Sequence, residues 1–364
     1  MRFAIIGCGV IGPLHARTIA GLPGRAQLVA TVDDRPERAV ALAAEYGAQA
    51  HPSLADALAR PDVDAVAVCV PSGRHVDIAV QALAAGKHVV VEKPLDVTDE
   101  AGARLARADR DAPGTVTVIS QHRFDPASRV VHDAVAAGRL GTITSGVASI
   151  ALWRSQHYYD SGEWRGTWAL DGGGALMNQG VHQIDLLVWM LGRPVRVHAT
   201  TALLAHSRVE VEDTGVATIE FEGGALGVVH GTTAAYPGVA NRLQVHGSRG
   251  SAVIDGDALA YFHAADPASQ VPDYGAGLSA DQSDLILPDR GAYDPVTGQV
   301  DAHTRQYVDF LDAVDADRDP LVTVVQARRT LALVNSIYAS ARSGQTVDVP
   351  RVDAPQTDDV EVLA

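Results

Sequence analysis

The sequence predicts an α/β protein in two parts. Residues 1–122 form a doubly wound parallel sheet; residues 123–345 form an α+β domain with a largely antiparallel, open sheet and closing C-terminal helices; a tail, 346–364, follows. Three observations predict this. Six short apolar runs alternate with helical patterns up to residue 120, the rhythm of a parallel sheet with crossover helices. After Pro126 strand-like runs adjoin one another with few helices between them, which marks antiparallel pairing. The first apolar run meets the first helix through GCGVIG, residues 7–12.

Residues 2–6 read as a buried strand and 14–20 as an Ala-rich helix. Between them Gly7 and Gly9 let the backbone turn and approach a pyrophosphate, Val10 and Ile11 complete the turn, and Gly12 lets helix and strand pack closely. The helix amino end attracts the anion. A second strand, 27–32, ends in Asp33, 21 positions after Gly12, where an acid accepts hydrogen bonds from the adenosine ribose of a dinucleotide in a Rossmann domain. Asp33 followed by Asp34 repels a 2′-phosphate and favours NAD, while Arg35 and Arg38 are near enough to leave NADP open.

Helices over 36–46 and 54–58 flank a short segment at Ala50, and 65–70 is a continuous apolar strand, as expected when both faces are covered. It runs into Val70-Pro71-Ser72-Gly73-Arg74-His75; a helix over 76–85 then leads to the stretch GKHVVVEKPL, 86–95. A helix over 100–109 and a strand over 115–120 close the sheet at Gln121-His122-Arg123-Phe124. Ligands of such sheets bind beyond the carboxyl ends of the strands. Val70, Pro71, Ser72, His75, Glu92, Lys93 and Gln121 therefore join the glycine turn, Asp33 and Arg38 as cofactor-binding candidates.

The second part opens with a helix over 128–137, stopped by Gly138. Strands follow over 143–152, 195–204, 216–221, 225–232, 242–246 and 251–254, with Gly223-Gly224 as a hairpin signal. Residues 264–300, rich in Asp, Gly, Pro and Ser, read as a long surface loop of the kind that serves as a lid. Helices over 304–313, with Tyr307, Phe310 and Leu311 on one face, and 326–343 end the ordered pattern before an acidic tail past Pro350.

A net charge of −15 without a basic run argues against nucleic acid and membrane partners. Two cysteines, Cys8 and Cys69, lack CxxC spacing, so neither a disulfide framework nor a thiolate zinc site is expected and a reducing cytoplasm fits. The opening MRFAIIGCGVIG is too short an apolar run for a signal peptide or a membrane span, so export is not expected.

Two stretches carry chemistry. Of 29 basic residues only Lys87 and Lys93 are lysines, and Lys93 ends a strand at the ligand edge of the sheet. Its compact ammonium can give up a proton when desolvated, which the guanidinium used elsewhere cannot. The other stretch is Trp164-Arg165-Gly166-Thr167-Trp168, then DGGG at 171–174, then a helical pattern over 175–191. On one helix, Asn178, His182, Asp185 and Trp189 share a face at i, i+4, i+7 and i+11. A polar stripe in an apolar segment must face water, a partner or a ligand. A metal held by His182 and Asp185 lacks visible third and fourth ligands, so no metal is expected.

The order of GxGxxG, the acid after the second strand, Pro71 to His75, GKHVVVEKP, WRGTW and DGGGALMNQGVHQIDLL resembles the Gfo/Idh/MocA oxidoreductases, to about Ser343. The resemblance implies a Rossmann domain and an α/β domain whose open sheet forms a homodimer or homotetramer interface, with a sugar or polyol held between them and oxidised by NAD or NADP. It makes Lys93 the active-site lysine, with a Lys93–Pro94 peptide expected to be cis, and His182 the proton-transfer group. Trp164 and Arg165 are expected to close over the cofactor; Arg123, Trp153, Tyr158 and Tyr236, with Lys93, Asn178 and His182, are candidates for the substrate walls. Many inositol dehydrogenase-like relatives have Asp where this chain has Asn178, which can hold a hydroxyl but cannot relay a proton. Asp185 is then the carboxylate expected to orient His182 or bind substrate. Two other activities fit the same residues: NAD-dependent glycoside cleavage, and dinucleotide-binding regulation without turnover.

Overall fold

A computed structural model of the chain describes residues 1–352 apart from 267, 269, 289, 290 and 292–297. The first part runs β1 (Arg2–Ile6), α1 (Gly12–Ala20), β2 (Gln27–Val32), α2 (Pro36–Tyr46), β3 (Gln49–His51), α3 (Leu54–Leu58), β4 (Ala65–Val68), α4 (His75–Ala84), β5 (His88–Val91), α5 (Asp99–Asp111) and β6 (Val116–Val118). The six strands are parallel in the order β3-β2-β1-β4-β5-β6, so the order reverses between β1 and β4, where a doubly wound sheet opens its ligand crevice. Alternation divides the core between the two faces: Phe3 and Ile5 enter one buried cluster, Ala4 and Ile6 the other. Ser53 and Thr98 cap α3 and α5 by accepting from the backbone N–H groups of Asp56 and Ala101.

The second part runs α6 (Pro126–Ala136), β7 (Ile143–Ala151), α7 (Gln156–Asp160), α8 (Val181–Leu191), β8 (Pro194–Ala202), β9 (Thr214–Phe221), β10 (Leu226–Thr232), β11 (Arg242–Gly247), β12 (Gly250–Asp255), β13 (Ala258–Ala264), α9 (Ser283–Ile286), α10 (Gly298–Asp315), α11 (Val324–Ser343) and β14 (Val347–Asp348). Its eight strands lie in the order β13-β12-β11-β7-β10-β9-β8-β14; β7 and β10 pair parallel and the other named pairs are antiparallel. Leu187 and Leu191 of α8 close on Gly146 of β7, and Ser340 of α11 accepts the Ala199 N–H of β8. The opposite face is open, with Val216, Leu226 and Val228 exposed.

The structure departs from the sequence reading in several places, and α7 and β13 were not expected at all. The helix expected over 175–191 is broken: Ala175–Gln179 is a wide π turn, and α8 starts at Val181. The expected loop after 264 contains a 3-10 turn, Gly277–Ala280, and α9, while much of its second half lies outside the described residues. β14, in the stretch expected to be tail, pairs with β8; the rest of that tail, from 353, lies outside the described residues. Finally, α10 packs back on the first sheet. Tyr307 and Phe310 lie 5.6 and 6.4 Å from Phe3 between ring centroids, and Leu311 joins the same cluster. Burying three such side chains gives roughly 1.5–3 kcal/mol each, which accounts for the apolar face of α10. Among the described residues no helix is long and apolar enough to cross a membrane.

Candidate active site

The dinucleotide half is built by two crowded glycines, one open glycine and one carboxylate. Gly7 sits at φ +97°, and a Cβ there would lie 2.4 Å from the Cys69 carbonyl oxygen; one on Gly12 would lie 2.3 Å from the Gly7 carbonyl oxygen. Gly9 differs: only the Arg38 guanidinium comes within 3.8 Å of its Cβ position, so the groove above it is open to a ligand. Val10 is 83% exposed beside it, and Ile11 accepts the Leu14 N–H at the start of α1. Asp33 accepts the Cys8 N–H at 2.7 Å and the Arg35 N–H at 2.8 Å, which fixes its carboxylate against the turn with lone pairs to spare for a ribose. At the far end of the crevice the Gln121 side-chain oxygen is buried with no hydrogen-bond partner among the described residues. Val70, Pro71 and Ser72 line the end of β4, where Ser72 is buried. An open groove over Gly9, a fixed acid and an orphaned amide acceptor fit a dinucleotide.

Two expected cofactor ligands point elsewhere. His75 is buried with Nδ1 2.7 Å from the Pro94 carbonyl oxygen and Nε2 2.9 Å from that of Val70, so it braces the two loops rather than facing the groove. Glu92 turns inward: Oε1 lies 2.7 Å from His15 Nε2 and 3.5 Å from His303 Nε2, and Oε2 accepts the Lys93 N–H at 2.9 Å. Burial opposes its charge, but both imidazoles outweigh that and hold the carboxyl well below its usual range. Glu92 is the anchor that aims Lys93. Lys87, the other lysine, donates to the Arg60 and Val63 carbonyls and serves only the fold.

Lys93 reaches across to the second part. The Lys93–Pro94 peptide is cis, and the ammonium donates to the Asn178 carbonyl oxygen at 3.0 Å and to Asn178 Oδ1 at 3.4 Å. Burial pushes the Lys93 pKa down, opposed by Glu92 and Asp171 and helped by Arg154 and Arg165. The π turn that presents Asn178 is fixed by distant residues. The carboxylate of buried Glu212 accepts the N–H groups of Gly174 and Leu176, and Tyr338 accepts from Met177 while donating to Glu212. The glycines before it have no room for a side chain: a Cβ on Gly173 would fall 2.0 Å from Tyr338 Oη, and one on Gly174 1.9 Å from the Glu212 carbonyl oxygen. Asn178 Nδ2 donates to Asp171, whose other oxygen accepts the Gly166 N–H at 2.8 Å; burial pushes the Asp171 pKa up.

With the turn widened, the expected stripe becomes four separate partnerships. Asn178 serves Lys93 and Asp171. His182 packs edge-on against His122, ring centroids 5.0 Å apart, and lines with Lys93, Val181 and Thr330 a cavity of about 20 Å³, room for one water. Trp189 stacks on His132 at 3.8 Å. Asp185 takes two bonds from the Arg123 guanidinium, at 2.7 Å each, and one from Thr330, so these bonds do not orient His182, although Asp185 lines the same small cavity. Arg123 is correspondingly no substrate wall, being 2% exposed with its remaining amine on Gln326.

Burial depresses the His182 pKa well below its ordinary value, reinforced by the positive charges of His122 and Lys93. His122 is raised instead, because Asp125 at 2.7 Å and Asp257 at 3.4 Å outweigh its desolvation. The two shifts run in opposite directions, favouring the neutral form of His182 and the protonated form of His122.

The remaining wall residues divide in two. Trp153 and the exposed Tyr236 pack edge-on at 5.2 Å beside β7 and β10. Tyr158 Oη accepts from Gln179, and the Arg154 and Arg165 guanidinium groups lie 5.3 and 4.2 Å from its ring centroid; Arg165 also sits 4.8 Å from the Trp164 ring. His122, Glu212 and Arg154 escaped the sequence reading, and Asp171 entered it only as the first residue of the DGGG run; His122 left a local trace in its i, i+3 spacing from Asp125.

Comparison with known proteins agrees with this architecture. Residues 1–120 match the model of an oxidoreductase family with an NAD-binding Rossmann fold, and residues 128–253 match the GFO/IDH/MocA C-terminal domain. Inositol 2-dehydrogenase of Rhizobium meliloti (strain 1021) is 30% identical over 265 residues, 69% of this chain and 74% of that protein. Levoglucosan dehydrogenase of Pseudarthrobacter phenanthrenivorans is 25% identical over 97% of this chain and 99% of its own length. Among solved structures, the WlbA dehydrogenase from Bordetella pertussis in complex with NADH and UDP-GlcNAcA superposes with a TM-score of 0.85 at 34% identity, covering 96% of this chain and 98% of that one. On its glycine turn, its two sheets and these matches over both parts, the chain belongs to the Gfo/Idh/MocA family of NAD-dependent oxidoreductases.

Proposed function

We propose that this enzyme oxidises a secondary alcohol of a sugar, sugar derivative or cyclitol, with the dinucleotide in the first domain, residues 1–122, and the substrate against the second, 123–345. The observation that carries the reading is that Lys93, from the end of β5, and His182, from α8, line one cavity at the ligand edge of the parallel sheet. Gly7, Gly9, Gly12, Asp33, Arg38 and Gln121 would hold NAD, and Trp164 and Arg165 would cover it. When bound, NAD supplies the hydride acceptor.

In this reading His182 takes the hydroxyl proton in its neutral form, the form that burial and the neighbouring cations favour. Such a base contributes typically ~10²- to 10⁴-fold. Lys93, aimed by Glu92 and Asn178, hydrogen-bonds the same oxygen and offsets the charge that develops as the proton leaves. Trp153, Tyr158 and Tyr236 shape the sugar side. The relatives named dehydrogenases of inositol and levoglucosan support a polyhydroxylated substrate.

The same reading makes the enzyme a cytoplasmic homodimer or homotetramer joined through the open sheet face. Val216, Leu226 and Val228, 46, 60 and 37% exposed on adjacent strands, form an apolar surface there. A panel of inositols, hexoses and their acids, offered with NAD and with NADP and followed by NADH or NADPH absorbance, tests the activity. Reduction of NAD by at least one polyol supports it; substrate cleavage without net NADH contradicts it.

A further inference from the structure

We infer that the substrate of this site carries an acidic group, a carboxylate or a phosphoryl, and that Arg154 receives it. The inference rests on the dehydrogenase reading and narrows its substrate class. In an acidic chain most guanidinium groups find a carboxylate: Arg60, Arg123, Arg193, Arg242 and Arg305 all do. Among the described residues Arg154 and Arg165 form no ion pair, although both are half-buried and both lie over the one Tyr158 ring. Two like charges gathered on one side chain repel each other, and cation–π contact with a single tyrosine is weak compensation.

A chain of contacts links Arg154 to Lys93. Arg154 donates to Gln179 Oε1 at 2.7 Å and to the Trp153 carbonyl oxygen at 2.9 Å; Gln179 Nε2 lies 3.2 Å from Asn178 Oδ1, and Asn178 holds Lys93. Those two bonds fix the guanidinium plane and use two of its five N–H donors, leaving the rest for a planar or tetrahedral anion. In the dehydrogenase reading the dinucleotide's phosphates fall to the open groove at Gly9, the start of α1 and Arg38, so they do not call for Arg154. In the same reading Arg165 belongs to the segment expected to cover the cofactor, which leaves Arg154 as the residue assigned to substrate.

The test uses pairs of compounds that differ in the acidic group: D-glucuronate against D-glucose, glucose 6-phosphate against glucose, UDP-glucuronate against UDP-glucose. Both NAD reduction and competition for the NADH-loaded enzyme are measured. The acidic member of at least one pair should have kcat/KM, or affinity, about tenfold or more above its neutral partner, in line with a charge-assisted hydrogen bond. The preference should shrink with added salt, and in Arg154→Gln the ratio within that pair should fall toward one, mainly through KM, while NADH still binds. The three pairs distinguish a carboxylate, a monophosphate and a nucleotide-linked acid. Equal or better use of the neutral partner in every pair, or an unchanged ratio in Arg154→Gln, overturns the inference and leaves the dehydrogenase reading standing. Salt- and Arg154-dependent binding of an acid that never reduces NAD upholds Arg154 as an anion receptor, while absence of NAD reduction with every acid here and every polyol of the panel above removes the dehydrogenase reading.

Discussion

Asn178 donates its side-chain amide to Asp171, and that bond decides which way the amide faces. A carboxylate accepts but cannot donate, so Nδ2 is held toward Asp171 and Oδ1 toward the Lys93 ammonium. The negative charge that helps keep Lys93 protonated therefore sits one residue behind the side chain the lysine touches. Exchanging the two should preserve the arrangement. Asn178→Asp alone sets two carboxylates in contact, so one must stay protonated, and kcat/KM should fall about tenfold or more, the size expected for losing one charge-assisted bond. Asp171→Asn alone frees the amide and should also impair turnover. The double variant Asp171→Asn/Asn178→Asp should recover most of the loss; steady-state kinetics giving a double variant worse than either single would contradict the account.

Burial pushes the His182 pKa down, and His122, itself raised by Asp125 and Asp257, adds to that push; if His182 is the base proposed above, the pair sets its working range. His182 must be neutral to accept a proton, so activity is lost as pH falls through its pKa, and in the native enzyme that acid limb should lie below the ordinary histidine value of about 6.5. His122→Gln removes a neighbouring positive charge, the His182 pKa rises, and the acid limb of kcat/KM should move to higher pH. A profile that stays in place, or moves down, would show that the two rings are not electrostatically coupled.

Asp185 should behave as a structural residue. Its partner Arg123 is buried, and Asp185→Asn leaves that guanidinium without a counter-charge, a change expected to cost about 3–5 kcal/mol of stability. Denaturant unfolding should show the loss, with turnover per folded molecule reduced far less than in His182→Gln. Unchanged stability with abolished turnover would restore Asp185 to the catalytic set.

Lys93→Met keeps much of the side chain's volume and removes its charge. Turnover should fall by ~10²-fold or more, whereas NADH binding, proposed above for the glycine turn and Asp33, should persist. A variant with near-normal kcat would remove the lysine from the mechanism.

The parts of this site that were legible in the sequence are those written locally. The glycine turn, Asp33 and the lysine ending β5 each announce themselves within a few residues, because a tight turn and a strand end have short-range chemistry. The π turn does not. It is imposed by Glu212 and Tyr338, respectively 38 and 161 positions from the backbone groups they bind, and without them a 3.6-residue period is the natural reading of 175–191. The same holds for Asp185, whose partner lies 62 positions away, and for α10, whose apolar face was visible while its partner, Phe3, was not.

The most direct test of the central claim is a crystal structure with NADH and an oxidisable or product sugar. The account predicts Lys93 Nζ and a His182 ring nitrogen both within about 3.2 Å of one substrate oxygen. A sugar oxygen at the nicotinamide that contacts neither group, or a sugar bound away from the pair, would contradict it.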